Sequence, residues 1–315
     1  MHTIGLKLLK NVFLFICLSG LFVILYQLSK NALNSLPKGK KIIESIESKK
    51  YISDSRLFKE FSILDSNLGE INIAVSFPMN IDNKPLPVLF IIGGVETGLE
   101  SIKHISDIGN NIVVGYDWPI NNESIKAKSI LYNIFNLYSS VNKSPGQIAT
   151  ALEWIHNQPW SENRISLLGF SIGAIAAPAV QHIVESRNIV DIKWTVLAYG
   201  GTNIGKLVNS NPFIKPSWLK PFLGWIVQIL FNSVDPKEHL EKITGNFLII
   251  NGKNDDLIPK YSSLKLQNLT PHPKKIILLD GNHMGVGEEQ KELLKIIIKK
   301  TRSWLKINKA INTNI

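Results

Sequence analysis

Cysteine is nearly absent from this chain of 315 residues, which contains only Cys17. A single cysteine can form neither an intramolecular disulfide nor a cysteine-built zinc site, so both kinds of scaffold are excluded. Charged residues are also scarce at 19%, while 44% of the residues are hydrophobic. This balance excludes intrinsic disorder as the main state, because disordered chains are rich in charge and poor in apolar residues.

Motifs for nucleic acids, nucleotides and metals are missing as well. The sequence has no Arg-rich run with interleaved aromatic residues, no G-x-G-x-x-G loop, no Walker motif and no His-x-x-x-His spacing. The net charge of +10 comes mainly from lysines spread over the chain. It predicts a solvated surface, with a secondary preference for anionic lipid headgroups. We therefore expect no nucleic-acid partner, no metal and no cofactor.

One long apolar run stands out near the N-terminus. Residues 12–28 read VFLFICLSGLFVILYQL without a charge, behind Lys7 and Lys10. With the apolar residues ahead of it, the run approaches the roughly 20 residues that a membrane-spanning helix needs. No A-x-A-like site follows, which favours a retained signal anchor over residues 1–30 rather than a cleaved signal peptide. A buried core helix is a further alternative.

The orientation of this anchor is set only weakly by charge. Lysines flank the apolar run on both sides, so the positive-inside rule gives almost no preference for either orientation. The segment nevertheless resembles an export signal. We therefore expect a single-pass membrane protein with its following domain on the extracytoplasmic side.

Behind the anchor, the pattern changes from a polar segment to strands and helices. Residues 31–56 predict a linker with one short helix, and alternating residues at 58–64 and 71–77 predict a hairpin. Continuous apolar runs then alternate with helical stretches, which predicts a mostly parallel sheet covered by helices on both faces. The predicted strands are 88–92, 111–116, 164–168, 193–197, 247–250 and 275–279, and the predicted helices are 125–138, 146–155, 172–184 and 288–305.

Residues 202–240 break this alternation. They contain several prolines and an apolar block, which predicts a small cap over one end of the sheet. A plain connecting helix is the alternative. The large apolar residues of this segment hint at an acyl chain in the substrate: Trp218, Phe222, Trp225 and Phe231. The last residues, 307–315, are predicted to be a tail.

A G-x-S-x-G pattern lies between a predicted buried strand and a helix of small residues. Residues 169–173 read GFSIG. A sharp strand-to-helix turn of this kind lifts the serine, Ser171, to the carboxyl end of the sheet. Gly169 and Gly173 are needed because side chains there would collide with the neighbouring strand and helix. An ordinary serine in a glycine-flanked turn is the alternative.

A serine hydroxyl becomes a nucleophile when a base, itself oriented by an acid, takes its proton. Both partners follow in the chain. Residues 252–259 read GKNDDLIP after a buried strand, and residues 281–285 read GNHMG after another. His283 is the candidate base, and an aspartate of the first turn is the candidate acid. The alternatives are a turn-capping carboxylate and a surface-loop histidine.

The three motifs GFSIG, GKNDDLIP and GNHMG, in this order and context, resemble the α/β-hydrolase family. The resemblance covers about residues 58–305, and it implies an α/β-hydrolase domain over 57–306. Ser171 would then be the nucleophile and His283 the general base and acid. The turn pattern G-x-x-D-x-x-[VI]-P of the family aligns with Asp255 rather than with Asp256, and so implies Asp255 as the orienting acid.

The resemblance also implies two backbone donors for an oxyanion hole. One is the N–H of Ile172. The other comes from the loop after an early central strand, where Gly94 is preferred to Val95. This chain departs from the family at Ile92, which stands in place of a frequent histidine, but the departure leaves a backbone donor unaffected.

The implied function is a serine hydrolase that cleaves a small-molecule or lipid-like carboxylic ester through an acyl-enzyme. A peptidase or thioesterase of the same fold is the alternative within enzymes. An alternative of another class is a catalytically inactive, membrane-tethered binding module.

Overall fold

The fold is a nine-stranded sheet covered by helices, in a computed structural model that describes residues 20, 31–79, 84–94, 97–105, 108–120 and 130–313. The strands are β1 (Ile42–Ser53), β2 (Arg56–Asp65), β3 (Gly69–Pro78), β4 (Leu86–Ile92), β5 (Ile112–Tyr116), β6 (Ser161–Phe170), β7 (Ile192–Ala198), β8 (Asn246–Gly252) and β9 (Lys274–Leu279). The α-helices are α1 (Ala32–Ser35), α2 (Ile130–His156), α3 (Ile172–Ser186), α4 (Ile204–Ser210), α5 (Lys220–Leu230), α6 (Lys260–Leu269) and α7 (Lys291–Ile307). A 3-10 helix, Gly98–Lys103, follows β4.

The strand order is β1-β2-β3-β5-β4-β6-β7-β8-β9. The first three strands are antiparallel, β3 pairs antiparallel with β5, and all later pairs are parallel. The predicted hairpin and the six predicted parallel strands are therefore confirmed. Because β4 to β9 point the same way, the loops that leave their carboxyl ends meet at one edge of the sheet.

Two hydrophobic clusters lie on opposite faces of this sheet. One packs α2 and α3 against the strands, with Ile148 and Val180 fully buried. The other packs the 3-10 helix and α7, with Ile297 fully buried. Strands covered on both faces explain the continuous apolar runs in the sequence.

The expected linker over residues 31–56 is only partly a linker. It contains the twelve-residue strand β1, which pairs along its whole length with β2. Most residues of β1 are exposed, so the strand lacks the apolar pattern by which it would be predicted. The segment ahead of it is fixed by the buried Asp65, whose Oδ2 accepts hydrogen bonds from the backbone N–H groups of Lys40 and Lys41 at 3.0 and 3.1 Å.

The expected tail at 307–315 is also partly packed. Ala310 and Ile311 are buried, and the backbone N–H of Asn312 donates to the side-chain oxygen of Asn111 at 2.8 Å. Arg164 also donates to the side-chain oxygen of Asn312 at 2.8 Å. The packed domain therefore extends beyond the predicted boundaries at residues 57 and 306, on both sides.

Two helical details differ from the sequence prediction. Residues 139–145 join the two predicted helices into the single helix α2, which runs through Pro145. Helix α6 was not predicted, because its apolar residues are too few and too scattered to give a periodic pattern. The region 202–240 holds α4, α5 and short 3-10 turns, and helices α4 and α5 contact each other closely at Gly205 and Gly224.

The predicted anchor lies, apart from Gly20, outside the described residues. Among the residues that are described, no helix combines the length and the apolar character needed to cross a bilayer.

Candidate active site

Ser171 occupies a strained turn between β6 and α3. Its backbone has φ 54° and ψ −118°, in a region that residues other than glycine rarely adopt. Such a conformation persists only where the surrounding structure enforces it, and it is concentrated at functional sites. The turn directs the serine away from the sheet at the N-terminus of a fifteen-residue helix.

The glycines on either side of Ser171 make this turn possible. A Cβ at Gly169 would lie 2.6 Å from the carbonyl oxygen of Gly173, and a Cβ at Gly173 would lie 1.8 Å from the carbonyl oxygen of Ile92. Both distances are far below van der Waals contact with backbone atoms that cannot move aside. The prediction that both positions require glycine is confirmed.

His283 lies in the loop that follows β9 and reaches back to Ser171. The Ser171 Oγ and His283 Nε2 atoms are 2.8 Å apart, the distance of a hydrogen bond. The His283 side chain is 12% exposed, so one edge remains open to the adjoining pocket. A neutral imidazole with its proton on Nδ1 accepts the serine proton at Nε2.

Asp255 fixes that tautomer. Its Oδ1 and Oδ2 lie 3.0 and 2.9 Å from His283 Nδ1, and its side chain is only 2% exposed. The backbone N–H groups of Leu257 and Ile258 each donate to Asp255 Oδ1 at 2.9 Å. The neighbouring Asp256 is exposed and makes no hydrogen bond with His283. The structure thus places Asp255, and not Asp256, against the histidine.

Both expected oxyanion donors lie beside the serine. Ile172 is the first residue of α3, and Gly94 follows β4 by two positions. Both line the pocket into which Ser171 opens. The Thr97 hydroxyl and backbone N–H donate to the Gly94 carbonyl oxygen at 2.9 and 3.1 Å, which fixes Thr97 against Gly94. Val95, the second choice for this donor, lies outside the described residues.

Tyr199 is a site residue that sequence reasoning missed. Its ring stands edge-on to the His283 ring, with centroids 5.7 Å apart and an interplanar angle of 86°. Burial, and then the charge of Asp255, raise the pKa of Tyr199 to about 12, so the phenol stays neutral. The Gly-Gly pair after it in the sequence was the available signal for a special turn at the end of β7, where the Tyr199 backbone has φ 57°.

The pocket beside Ser171, hereafter the active-site pocket, has a volume of about 350 Å³. Its walls come from the 93–105 region, the 283–286 loop and α7, and they are mostly aliphatic. The apolar side chains are those of Ile91, Ile105, Phe170, Ile172, Leu257, Met284, Val286, Leu294 and Ile298. The buried Ser101 Oγ also lines it, and finds no hydrogen-bond partner among the described residues.

The large apolar residues of the predicted cap, which hinted at an acyl chain in the substrate, lie away from this pocket. None of Trp218, Phe222, Trp225 and Phe231 lines it. The first three are exposed, and Phe231 is buried against α2, where its ring meets that of Tyr138 at 6.0 Å. The apolar lining comes instead from the face of the sheet that α7 covers.

Within the described part of the chain, no three or more side chains of histidine, cysteine, aspartate or glutamate come together in an arrangement that could coordinate a metal ion.

Comparison with known proteins shows which solved structures share this fold. No protein-family model and no curated protein matches the chain. Solved structures do match. An acetyl xylan esterase from Paenibacillus sp. R4 shares 16% identity, with 88% of this chain and 93% of that chain covered and a TM-score of 0.60. Carboxyl esterase 2 from Tuber melanosporum shares 16% identity, with 83% and 89% covered and a TM-score of 0.57.

A hyperthermophilic esterase from Pyrobaculum calidifontis shares 18% identity, with 94% of this chain and 93% of that chain covered and a TM-score of 0.55. Similarity at this level of identity establishes architecture rather than activity. It extends over most of each chain, and these neighbours are esterases built on one architecture. The chain therefore has the α/β-hydrolase fold.

Proposed function

We propose that this protein hydrolyses carboxylic esters, with Ser171 as the nucleophile. The observation that carries the proposal is the unbroken line of hydrogen bonds from Ser171 through His283 to Asp255, at the mouth of an apolar pocket. The fold shared with several esterases supports it. The intact line of hydrogen bonds argues against an inactive binding module.

The reaction follows from the roles of these atoms. The Ser171 Oγ attacks the ester carbonyl carbon while His283 Nε2 takes the serine proton. Asp255 stabilises the resulting imidazolium through Nδ1. The N–H groups of Ile172 and Gly94 would donate to the oxyanion, and removal of one such donor typically costs 10² to 10³ in kcat.

The attack gives a tetrahedral intermediate, and its collapse completes the acylation of Ser171. The bond to the alcohol oxygen breaks, the alcohol takes the proton from His283, and the acyl group stays on Ser171. A water molecule then gives a proton to His283 and attacks the acyl carbonyl. The second tetrahedral intermediate then collapses, which releases the carboxylic acid and returns the proton to Ser171.

The aliphatic lining of the active-site pocket supports an acyl or similarly apolar group next to the scissile bond. Each buried methylene contributes about 0.8 kcal/mol, which is about a fourfold gain in kcat/KM. We expect kcat/KM to rise in this way across p-nitrophenyl acetate, butyrate and hexanoate. Ser171→Ala should lower all three rates by at least about 10³-fold, whereas Ser186→Ala, at the exposed end of α3, should leave them unchanged. Hydrolysis that survives in Ser171→Ala contradicts the proposal.

We also propose that residues 1–30 form a retained single-pass anchor, with the hydrolase domain on the extracytoplasmic side. The support is the uncharged run at 12–28 behind two lysines. Alkaline phosphatase and green fluorescent protein fused after Lys41 report the side: phosphatase activity without fluorescence is expected. Fluorescence without phosphatase activity overturns the orientation, and a fusion recovered only in the soluble fraction overturns the anchor.

A further inference from the structure

Trp118 contacts the loop after β4 from outside the active-site pocket. Its indole Nε1–H donates to the carbonyl oxygen of Gly93 at 3.1 Å, and this hydrogen bond is buried. Gly93 and Gly94 share one peptide unit, so Trp118 binds the carbonyl of the unit whose N–H is the expected oxyanion donor. Trp118 belongs to the hydrophobic cluster that α2 and α3 cover, whereas the apolar wall of the pocket comes from the face that α7 covers.

The geometry of the peptide unit makes this contact directional. The Gly93–Gly94 bond is trans, since the two cis bonds of the described chain both precede prolines. In a trans unit the C=O and the N–H point in opposite directions. A Gly93 carbonyl held towards Trp118 therefore turns the Gly94 N–H to the opposite side, and Gly94 lies in the wall of the pocket into which Ser171 opens. No described residue accepts a hydrogen bond from the Gly94 N–H.

A peptide unit between two glycines needs a restraint of this kind. Gly93 cannot carry a side chain, because a Cβ there would lie 2.5 Å from Thr97 Oγ1 and 3.0 Å from Ser101 Cβ. Without Cβ atoms, the unit has access to backbone orientations that other residues avoid. Thr97 holds the Gly94 carbonyl, but that carbonyl belongs to the next peptide unit. Of the hydrogen bonds among the described residues, only the one from Trp118 fixes the Gly93–Gly94 unit.

Packing fixes the Trp118 ring in turn. Trp118 is 5% exposed, and its ring stands edge-on to that of Tyr116, with centroids 5.7 Å apart and an interplanar angle of 71°. Tyr116 is fully buried, and its hydroxyl donates to Gln147 Oε1 at 2.7 Å. The backbone N–H of Ile120 donates to the Trp118 carbonyl oxygen at 2.7 Å. A ring held in this way presents its N–H in one direction.

We propose that Trp118 is a positioning residue for the ester hydrolysis proposed above, on which this inference rests. It acts through the Gly93–Gly94 unit and orients the Gly94 N–H towards the oxyanion. Without the indole N–H, the Gly93 carbonyl loses its partner, the unit adopts other orientations, and the Gly94 donor is available to the transition state for only part of the time. Because complete removal of an oxyanion donor costs about 10² to 10³ in kcat, we expect loss of the restraint to cost about 10- to 100-fold.

Two replacements of Trp118 in the full chain remove the N–H. Trp118→Phe keeps an aromatic ring. The amino acid 3-benzothienylalanine, introduced at position 118 by amber suppression, keeps the shape of the indole with sulfur in place of the N–H group, and it decides the outcome if Trp118→Phe fails to fold. Trp154→Phe is the matched control, because Trp154 is a buried tryptophan of the same hydrophobic cluster whose ring contacts Phe61 and Trp160.

The readout is the ratio of kcat/KM for p-nitrophenyl butyrate to kcat/KM for its thiono analogue, in which C=S replaces C=O. Sulfur is a weak hydrogen-bond acceptor, so the thionoester gains little from the oxyanion donors. In both Trp118 replacements, kcat for the oxygen ester should fall by about 10- to 100-fold with KM changed by less than about twofold, and the ratio should fall by at least about tenfold. Trp154→Phe should leave the ratio unchanged.

A uniform loss of activity overturns the inference, because damage to the fold would lower the rates for both esters equally. An unchanged ratio in the folded Trp118 replacements, or an equal fall of the ratio in Trp154→Phe, overturns it as well. If the wild type cleaves p-nitrophenyl butyrate and Ser171→Ala does not, these results leave the esterase function standing. A wild type that cleaves neither ester overturns the esterase function, and this inference with it.

Discussion

At the scale of single residues, Asp255 is the most tightly held member of the candidate site. Two backbone N–H groups and the His283 ring all donate to its buried carboxylate. These bonds hold the carboxylate in place against His283 Nδ1, so that His283 presents Nε2 to Ser171. The neighbouring Asp256 makes no such contact and offers a natural comparison.

Substitution of the two aspartates should separate their roles. Asp255→Asn keeps the shape but offers an amide to Nδ1, which favours the wrong tautomer, and kcat for p-nitrophenyl butyrate should fall by about 10³- to 10⁴-fold. Asp256→Asn should change kcat less than about twofold. Steady-state kinetics of both variants, with folding checked by circular dichroism, provide the measurement. Equal losses in the two variants would show that Asp255 does not orient the histidine.

The sequence allowed the three polar residues to be predicted because each stands in a short motif directly after a buried strand. Tyr199 could not be predicted in the same way. Its contact with His283 depends on the spacing of β7 and β9 in the sheet and on Gly252, where a Cβ would lie 2.9 Å from the Tyr199 ring. Packing between distant segments leaves no local pattern.

At the scale of secondary structure, β1 depends on a single buried carboxylate for its start. Asp65 accepts four backbone hydrogen bonds, two from the segment before β1 and two, at 2.8 and 2.9 Å, from the turn before β3. The strand itself is polar and exposed, so little apolar burial holds it in place. This is also why the buried strands could be predicted and β1 could not.

Removal of that carboxylate should loosen the edge of the sheet. Asp65→Asn places an amide N–H₂ among backbone donors, and one or two of these lose their acceptor. We expect the free energy of unfolding to fall by about 1–3 kcal/mol. Asp54→Asn, in the exposed turn between β1 and β2, is the control and should change it by less than about 0.5 kcal/mol. Urea titration of both variants measures the difference, and equal stabilities would contradict this role of Asp65.

At the scale of the whole molecule, the free energy of unfolding should depend on pH through a buried histidine outside the candidate site. His239 is fully buried, its Nε2–H donates to the Ser233 carbonyl oxygen at 2.8 Å, and its Nδ1 lies 3.0 Å from His182 Nδ1. Burial lowers the pKa of His239 to about 4. The same histidine in the unfolded chain has an ordinary pKa near 6.5. Between about pH 6.5 and pH 4 the unfolded chain therefore binds a proton at this residue that the folded chain does not bind.

Stability should accordingly fall as the pH drops from 7.5 towards 4. The expected loss from His239 is about 2 kcal/mol by pH 5. His239→Gln should be less stable at pH 7.5, but its free energy of unfolding should fall less on acidification than that of the wild type. His104→Gln, at an exposed histidine, should lose as much as the wild type. Urea unfolding at pH 7.5 and pH 5 measures the change in the free energy of unfolding for the wild type and for each variant. A change in His239→Gln equal to that of the wild type would show that this histidine does not titrate on unfolding.

The central claim is that Ser171 is a nucleophile activated by His283 and Asp255. Its most direct test is labelling of the full chain with a fluorophosphonate, which reacts irreversibly with an activated serine, read out by intact mass and peptide mapping. The account predicts one label per chain, on Ser171, in the wild type and in Ser101→Ala and Ser186→Ala, and no label in Ser171→Ala. A wild type that stays unlabelled, or a label that persists in Ser171→Ala, would contradict it.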